Sequence, residues 1–298
     1  MGRRHATVRQ LLSHQAGLSA IDEPLGLETL ADPDALAEIL GRQEPAWVPG
    51  TKHGYHCWNL GWYQSELIRR VDPQRRGLGQ FFQDEIAKPL DLEFYIGLPA
   101  EVPDSRIANI KPVSVIKVLL NLGKLPYLNS CLNPLKSNSI TYRTVMNPRM
   151  LTNHKNYNRR DVRSLEIPSA NGIGQVRSMA KAYSVFATGG KELHLEDETF
   201  RALTAPAIPP SSGSRDEVML VDQCYALGFC RPFEDAEFGL SDRAFGFSGA
   251  GGSFAFADPE AQVGYAYAPN KMGVYAFDDP REKALRSAFY RCFKRLSA

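Results

Sequence analysis

The 298-residue sequence predicts an α+β fold, an antiparallel sheet flanked by helices with a mostly helical lobe. Three observations carry that expectation. Helical periodicity fills the first third of the chain, and strand-like runs gather near its end. Between them runs no regular strand–helix–strand alternation of the kind that builds a parallel sheet. With 43% hydrophobic and 23% charged residues, the chain is long enough to bury a substantial core.

The elements follow from local chemistry. Thr7 stands as the N-cap of "VRQLL", where Val8, Leu11 and Leu12 share a face before "AGLS" breaks the helix. "DPDALAEILGRQ" repeats the logic: Asp32 caps, Pro33 takes the first turn, and Leu36, Ile39 and Leu40 form one stripe. "EPAWVPGTKHGYH" is a Pro/Gly loop leading into the helical "NLGWYQSELIRRV". "GLGQFFQDEIAKPLDL" is a helix that stops at Lys88, because Pro89 cannot continue it. From 105 to 165 Lys and Arg recur while Asp161 is the only acid; "PVSVIKVLLNLG" reads as helical and the rest as irregular. This segment reads as an insertion or cap over a site. Its basic face is either a solvated surface or an attraction for anionic substrate or lipid. "EIPSANGIGQVRSMAKAYSVFATGG" is a turn and a helix ending at Gly189-Gly190. Two strands follow, "AFGFSGAGGSFAFADPE" and "AQVGYAYAPNKM", and then a helix opened by Asp-Pro in "DDPREKALRSAFYRCFKRL". The expected division is a helical lobe over 1–104, a basic cap over 105–165, and a C-terminal helix and sheet portion over 166–298.

Net charge is only +2, so no global field argues for nucleic acid. Cys57, Cys131, Cys224, Cys230 and Cys292 are scattered and odd in number, which predicts free thiols in a reducing compartment. No apolar run approaches the ~20 residues of a membrane span. "MGRR" has no apolar stretch behind it, so a secretory signal is not expected and a cytoplasmic location is.

Several constellations carry possible chemistry. "GFSGA" nearly fits a nucleophile elbow centred on Ser248, but all six histidines precede that serine, against the order an α/β-hydrolase needs. "SGAGGSF" fits neither the dinucleotide fingerprint nor the phosphate-binding loop. His53 and His56 in "HGYH" lack a third ligand in a suggestive register, so a metal is not expected, nor is a cofactor. Two S-x-x-K tetrads, Ser114 with Lys117 and Ser178 with Lys181, could set a lysine amine under a serine hydroxyl. Chance serine–lysine pairs on a helix surface are their simpler explanation.

Four segments, in order, resemble the serine β-lactamase-related family, the group of class C β-lactamases, esterases and D-alanyl-peptidases. "TVRQLLSHQAGLSAID" is similar to its T-V-R-x-L-L-S-H-T-S-G-L segment, and "PGTKHGYHCWNLGWYQSELIRRV" to the one carrying Y-S-N. "IPSANGIGQVRSMAKAYSVFATGG" resembles the helix reading S-T-A-x-D-L-A-R, and "FGFSGAGGSFAFADPEAQVGYAYAPNKM" the terminal strand pair with H/K-T/S-G. The resemblance spans Thr7 to about Leu296, with gaps in the cap.

The resemblance implies a β-lactamase/transpeptidase-like fold and an esterase-like serine hydrolase. It places Tyr55 on the motif tyrosine, a vestigial general base, with Cys57 where the family has Asn. Phe247, Ser248 and Gly249 fall on H/K-T/S-G, Phe247 replacing the cation or imidazole. Ala250 offers a backbone N–H to the oxyanion hole. In the family the first strands and the S-x-x-K helix precede the "LLSH" segment, so both are expected to be missing. The implied partner is a small ester or amide substrate of a longer form. The alternative is a non-catalytic binding or assembly module that self-associates through an exposed sheet edge.

Overall fold

The computed structural model describes residues 6–233 and 236–296. Helix α1 (Val8–Leu12) opens with a capping box: the Thr7 hydroxyl accepts from the Gln10 amide, and the Gln10 side chain accepts from the Thr7 amide. After α2 (Leu27–Ala31), α3 (Pro33–Arg42) begins where Asp32 accepts from the amides of Asp34 and Ala35. Leu36, Ile39 and Leu40 of α3 are buried against Trp62 of α4 (Leu60–Val71), with Ile21, Leu151, Val162 and Ile167 closing the cluster. Helix α5 (Leu78–Phe82) passes into a π-helical turn, Gln83–Ala87, that ends at Lys88 before the proline. Strand β1 (Phe94–Tyr95) pairs antiparallel with β2 (Ile173–Gly174). Between them lie the short helices α6 (Val115–Leu119), α7 (Pro126–Leu132), α8 (Ile140–Val145) and α9 (Arg160–Arg163).

The second half holds α10 (Val176–Ala187), α11 (Asp197–Thr204), strands β3 (Tyr225–Ala226), β4 (Phe229–Cys230), β5 (Phe245–Gly249), β6 (Ser253–Asp258) and β7 (Val263–Tyr267), and α12 (Pro280–Leu296). The five strands form one antiparallel sheet in the order β3-β4-β5-β6-β7. Helix α12 covers one side, where Tyr290 meets Phe238, Phe254 and Phe256. The Tyr290 hydroxyl donates to the buried Asp258 carboxylate at 2.7 Å. Helix α10 packs on β6 and β7. A Cβ on Gly264 would run into the Ser184 amide and the Ala180 carbonyl of α10, so helix and strand approach to a distance only glycine permits.

The architecture is the expected one, and the departures are local. "AFGFSGAGGSFAFADPE" is two strands rather than one, β5 and β6, joined through Gly251 and Gly252 at φ +87° and +99°. The segment "YALGFC" forms the short β3–β4 hairpin, which two-residue strands leave invisible to periodicity. The segment read as irregular after α6 contains α7 and α8, each too short to show a helical stripe. All five cysteines are free. Among the described residues, no helix is long and apolar enough to cross a membrane.

The Gly264 contact gives a first prediction. Gly264→Ala forces α10 off β7 and lowers unfolding free energy by about 1–3 kcal/mol. Urea denaturation should show the midpoint falling while the slope holds.

Candidate active site

The site grows from the end of α1. The chain turns at His14, whose φ of +58° is left-handed, and its buried imidazole faces the returning loop of residues 44–59. That loop is laced to the "SHQAGL" segment: the Ala46 amide donates to Gly17 O at 2.8 Å, the Gly50 amide to Gln15 O at 3.0 Å, and the Asn59 side chain to Leu18 O at 2.7 Å. Two bonds bracket Tyr55. The Gly54 amide donates to the His14 carbonyl at 2.8 Å, and the His56 amide donates to His14 Nδ1 at 3.0 Å. His14 thus holds the backbone on both sides of the tyrosine.

These bonds also fix protons. His14 Nδ1 accepts, so its proton sits on Nε2; His56 Nδ1, 3.0 Å away, then carries the shared proton. Each ring leaves a buried Nε2 without a hydrogen-bond partner among the described residues. Burial, then the neighbouring histidines, holds His14 well below the usual imidazole range, and burial lowers His56 to about 3. His53 is lowered as well, chiefly by burial, against a raising contact with the Ser13 carbonyl at 3.3 Å. All three are neutral at pH 7.

Above them three rings stack. Tyr55 lies on Phe247 at 5.7 Å and 20° and on Tyr225 at 6.1 Å and 14°, and the His14 ring meets the edge of Tyr225 at 4.4 Å. Asp216 is fully buried and accepts at Oδ1 from the amides of Val218 (2.8 Å) and Met219 (2.7 Å). Its Oδ2 has no partner at full hydrogen-bond geometry, while the Tyr225 phenol and the Tyr55 amide lie close enough to favour its charged form. Burial pushes this carboxyl up to about 6. Burial also pushes the Tyr55 phenol well above its ordinary value. The further contributions come from Cys57, Cys230, Asp216 and Tyr127, acidic groups that raise it again, and no cation is among them. The phenol keeps its proton and can donate a hydrogen bond. It cannot take a proton at neutral pH. Cys57 sits in the same corner with its thiol raised to about 12 by burial.

The strand residues divide between two sides. Phe247 belongs to the Tyr55 stack. Ser248 instead lines a small cavity with Phe254, Glu282 and Arg286, on the α12 side and without a histidine in its wall, as side-chain alternation along β5 requires. Gly249 closes the β5–β6 pairing opposite Ser253, and Ala250 is exposed in the turn. Neither S-x-x-K tetrad reaches the stack. Ser114 caps exposed α6 by accepting from the Lys117 amide, and Ser178 accepts from the Glu93 amide near β1. His14, Asp216 and Tyr225 were not singled out in the sequence; the "LLSH" motif contained His14, and no local pattern marks the other two. His53 and His56 do lie in the loop. Among the described residues, no group of three or more His, Cys, Asp or Glu could hold a metal ion.

The family model described as beta-lactamase matches residues 2–288. The chain belongs to the beta-lactamase family. Within it, the chain is 28% identical to the esterase/beta-lactamase LipL of Mycobacterium tuberculosis (strain ATCC 25618 / H37Rv) over 91% of its own length, and it spans 60% of that relative's. Among solved structures it is similar to a family VIII carboxylesterase, with 32% identity and a TM-score of 0.79 over 98% of this chain and 72% of that one. It is also similar to EstA from Arthrobacter nitroguajacolicus Rue61a, with 29% identity and a TM-score of 0.81 over 98% and 73%. A penicillin-binding protein homolog from Caulobacter crescentus gives 30% and 0.73 over 96% and 71%. The fold is that of β-lactamase-type serine hydrolases and esterases.

Two predictions follow from the His14 geometry. His14→Ala strands the His56 amide and opens a cavity, destabilising the chain by about 3 kcal/mol. His14→Asn tolerates the left-handed turn and can still accept, so it loses about half as much; amide exchange at His56 reads the bond itself. The depressed histidines also set a pH dependence. Their stability contribution is complete above the unfolded value of 6.5 and falls as pH drops below it, by about 1.4 kcal/mol per pH unit per histidine. Asp216, raised to about 6, binds its proton first in the folded state and offsets one histidine between pH 6 and 4. Denaturation midpoints should therefore decline from pH 7 to 5, gently at first and more steeply once pH is below 6.5 and the histidines of the unfolded chain are charged, and less in His56→Asn.

Proposed function

We propose that this chain supplies the substrate-facing part of an esterase-like serine hydrolase site, and that its own residues do not complete covalent catalysis. The observation that carries the reading is the stack of Tyr55 on Phe247, a neutral phenol beside an apolar ring. In the resemblance drawn from the sequence, that ring stands where a cation or imidazole serves the motif. Phe247, backed by the buried Tyr225, offers an apolar wall to an acyl or alcohol group, Tyr55 donates a hydrogen bond to a substrate oxygen, and the Ala250 N–H is an oxyanion donor. A small, apolar carboxylic ester suits these groups better than a β-lactam, whose carboxylate needs a cation. The carboxylesterase and esterase relatives point the same way. None of the three serines that the sequence offered as nucleophile is set with a lysine at the stack, as covalent catalysis needs: Ser114 and Ser178 have other partners and Ser248 faces α12. The second reading, an assembly module without catalysis, is favoured by β7, whose outer edge has no strand partner among the described residues.

Treated with a fluorophosphonate probe and a short-chain aryl ester, the 298-residue chain is expected to take up no label and to turn over nothing above buffer. Stoichiometric labelling that Ser248→Ala abolishes would place the nucleophile on β5 and overturn the reading. Absence of labelling together with a stable dimer favours assembly. In a form that supplies a serine–lysine pair, Tyr55→Phe should lower turnover about 10²–10⁴-fold; an unchanged rate removes the phenol from catalysis.

A further inference from the structure

We infer that residues 111–136 form a docking surface for an anionic lipid bilayer. Of the fourteen large hydrophobic side chains exposed among the described residues, six fall in this one stretch: Val115, Ile116, Leu119, Leu120, Leu132 and Leu135. Leu135 is 95% exposed and Leu120 79%, and all six are more than half exposed. The stretch is nonetheless fixed to the body of the protein. Leu125, Ser130 and Cys131 are buried, and Tyr127 of α7 faces the Tyr55–Cys57 corner. A surface held this firmly with its aliphatic side out calls for a covering partner.

Charge selects the partner. From 105 to 160 the sequence carries ten Lys and Arg and no Asp or Glu. Several arginines there are already matched: Arg106 by Glu93, Arg143 by Asp22, Arg159 by Asp161 and Arg160 by Asp104. Lys111, Lys117 and Lys136 are exposed and join no ion pair among the described residues. Aliphatic side chains interleaved with free lysines match a bilayer with anionic headgroups, which satisfies both at once, and stable attachment at a membrane surface needs two such signals together. A second copy of the chain would bring two cationic faces together. Nucleic acid would take the lysines but leave the leucines wet, and the exposed hydrophobics here include no aromatic side chain for bases to stack on.

The inference is independent of whether the chain hydrolyses esters, and its test is binding alone. The purified chain is co-sedimented with vesicles of phosphatidylcholine, and with vesicles of phosphatidylcholine mixed with phosphatidylserine. Expected is binding to the anionic vesicles, weak binding to the neutral ones, and release as salt is raised. Lys117→Gln with Lys136→Gln should weaken partitioning about 20-fold. Leu119→Ser with Leu120→Ser should weaken it on the order of 10²-fold. Both pairs are exposed, and an unchanged circular dichroism spectrum confirms that the fold survives. Equal affinity for the two vesicle types, no binding to either, or binding that survives either variant pair would overturn the inference. So would a dimer that the leucine variant dissolves, which makes a second copy the occupant, or RNA binding that only the lysine variant loses.

Discussion

The grip of His14 on the loop around Tyr55 is the constraint on which the rest of the site depends. One residue supplies two acceptors, its carbonyl and its ring Nδ1, to the amides on either side of the tyrosine. To do so it adopts a left-handed backbone conformation unusual for a side chain of its size. It also buries two imidazoles whose outer nitrogens find no partner among the described residues. Such unfavourable terms persist where the surroundings over-determine them. Here the surroundings are the Tyr55–Tyr225–Phe247 stack above and the loop bonds from Gly17, Gln15 and Leu18 beside it.

That constraint decides the electrostatics. Every titratable group at the centre is driven toward its neutral form: the histidines down, the phenols and thiols up, Asp216 up. Burial is the first cause in each case, because removing water penalises whichever form is charged. An uncharged ester is proposed as substrate on the strength of this neutral, aromatic-walled centre. Base catalysis at pH 7 would need a cation brought against Tyr55. The buried cations of this chain, Arg163, Arg231 and Arg286, have other partners, and the segment after β1 exposes both lysines and aliphatic side chains.

Much of this was legible in particular residues. Thr7 and Asp32 cap where cap chemistry places them, Pro89 follows the helical run that ends at Lys88, and Gly189 ends α10 with a positive φ. Tyr55 and Phe247, 192 residues apart, were singled out by motif resemblance, and they stack. The β5–β6 turn was missed because glycines within a run of small apolar residues signal either a close approach or a turn. Only the neighbours decide: a Cβ on Gly252 would strike the Asp279 carboxylate. Asp216 and Tyr225 were missed because nothing local distinguishes a buried functional carboxylate or phenol from an ordinary one.

By itself, then, the sequence determined what short-range chemistry controls: helix starts and stops, the α+β order of elements, the motif segments that mark the beta-lactamase family, and the one-signed charge of residues 105–160. Tertiary structure alone decided which side chains share a face, and how each is charged. Ser248 turned toward α12 and Phe247 toward Tyr55 because a strand alternates its sides, and the assignment of sides is made by the helices packed on the sheet. The protonation of Tyr55, His14 and Asp216 depends on how much water reaches them, a property of the packed molecule that no stretch of sequence carries.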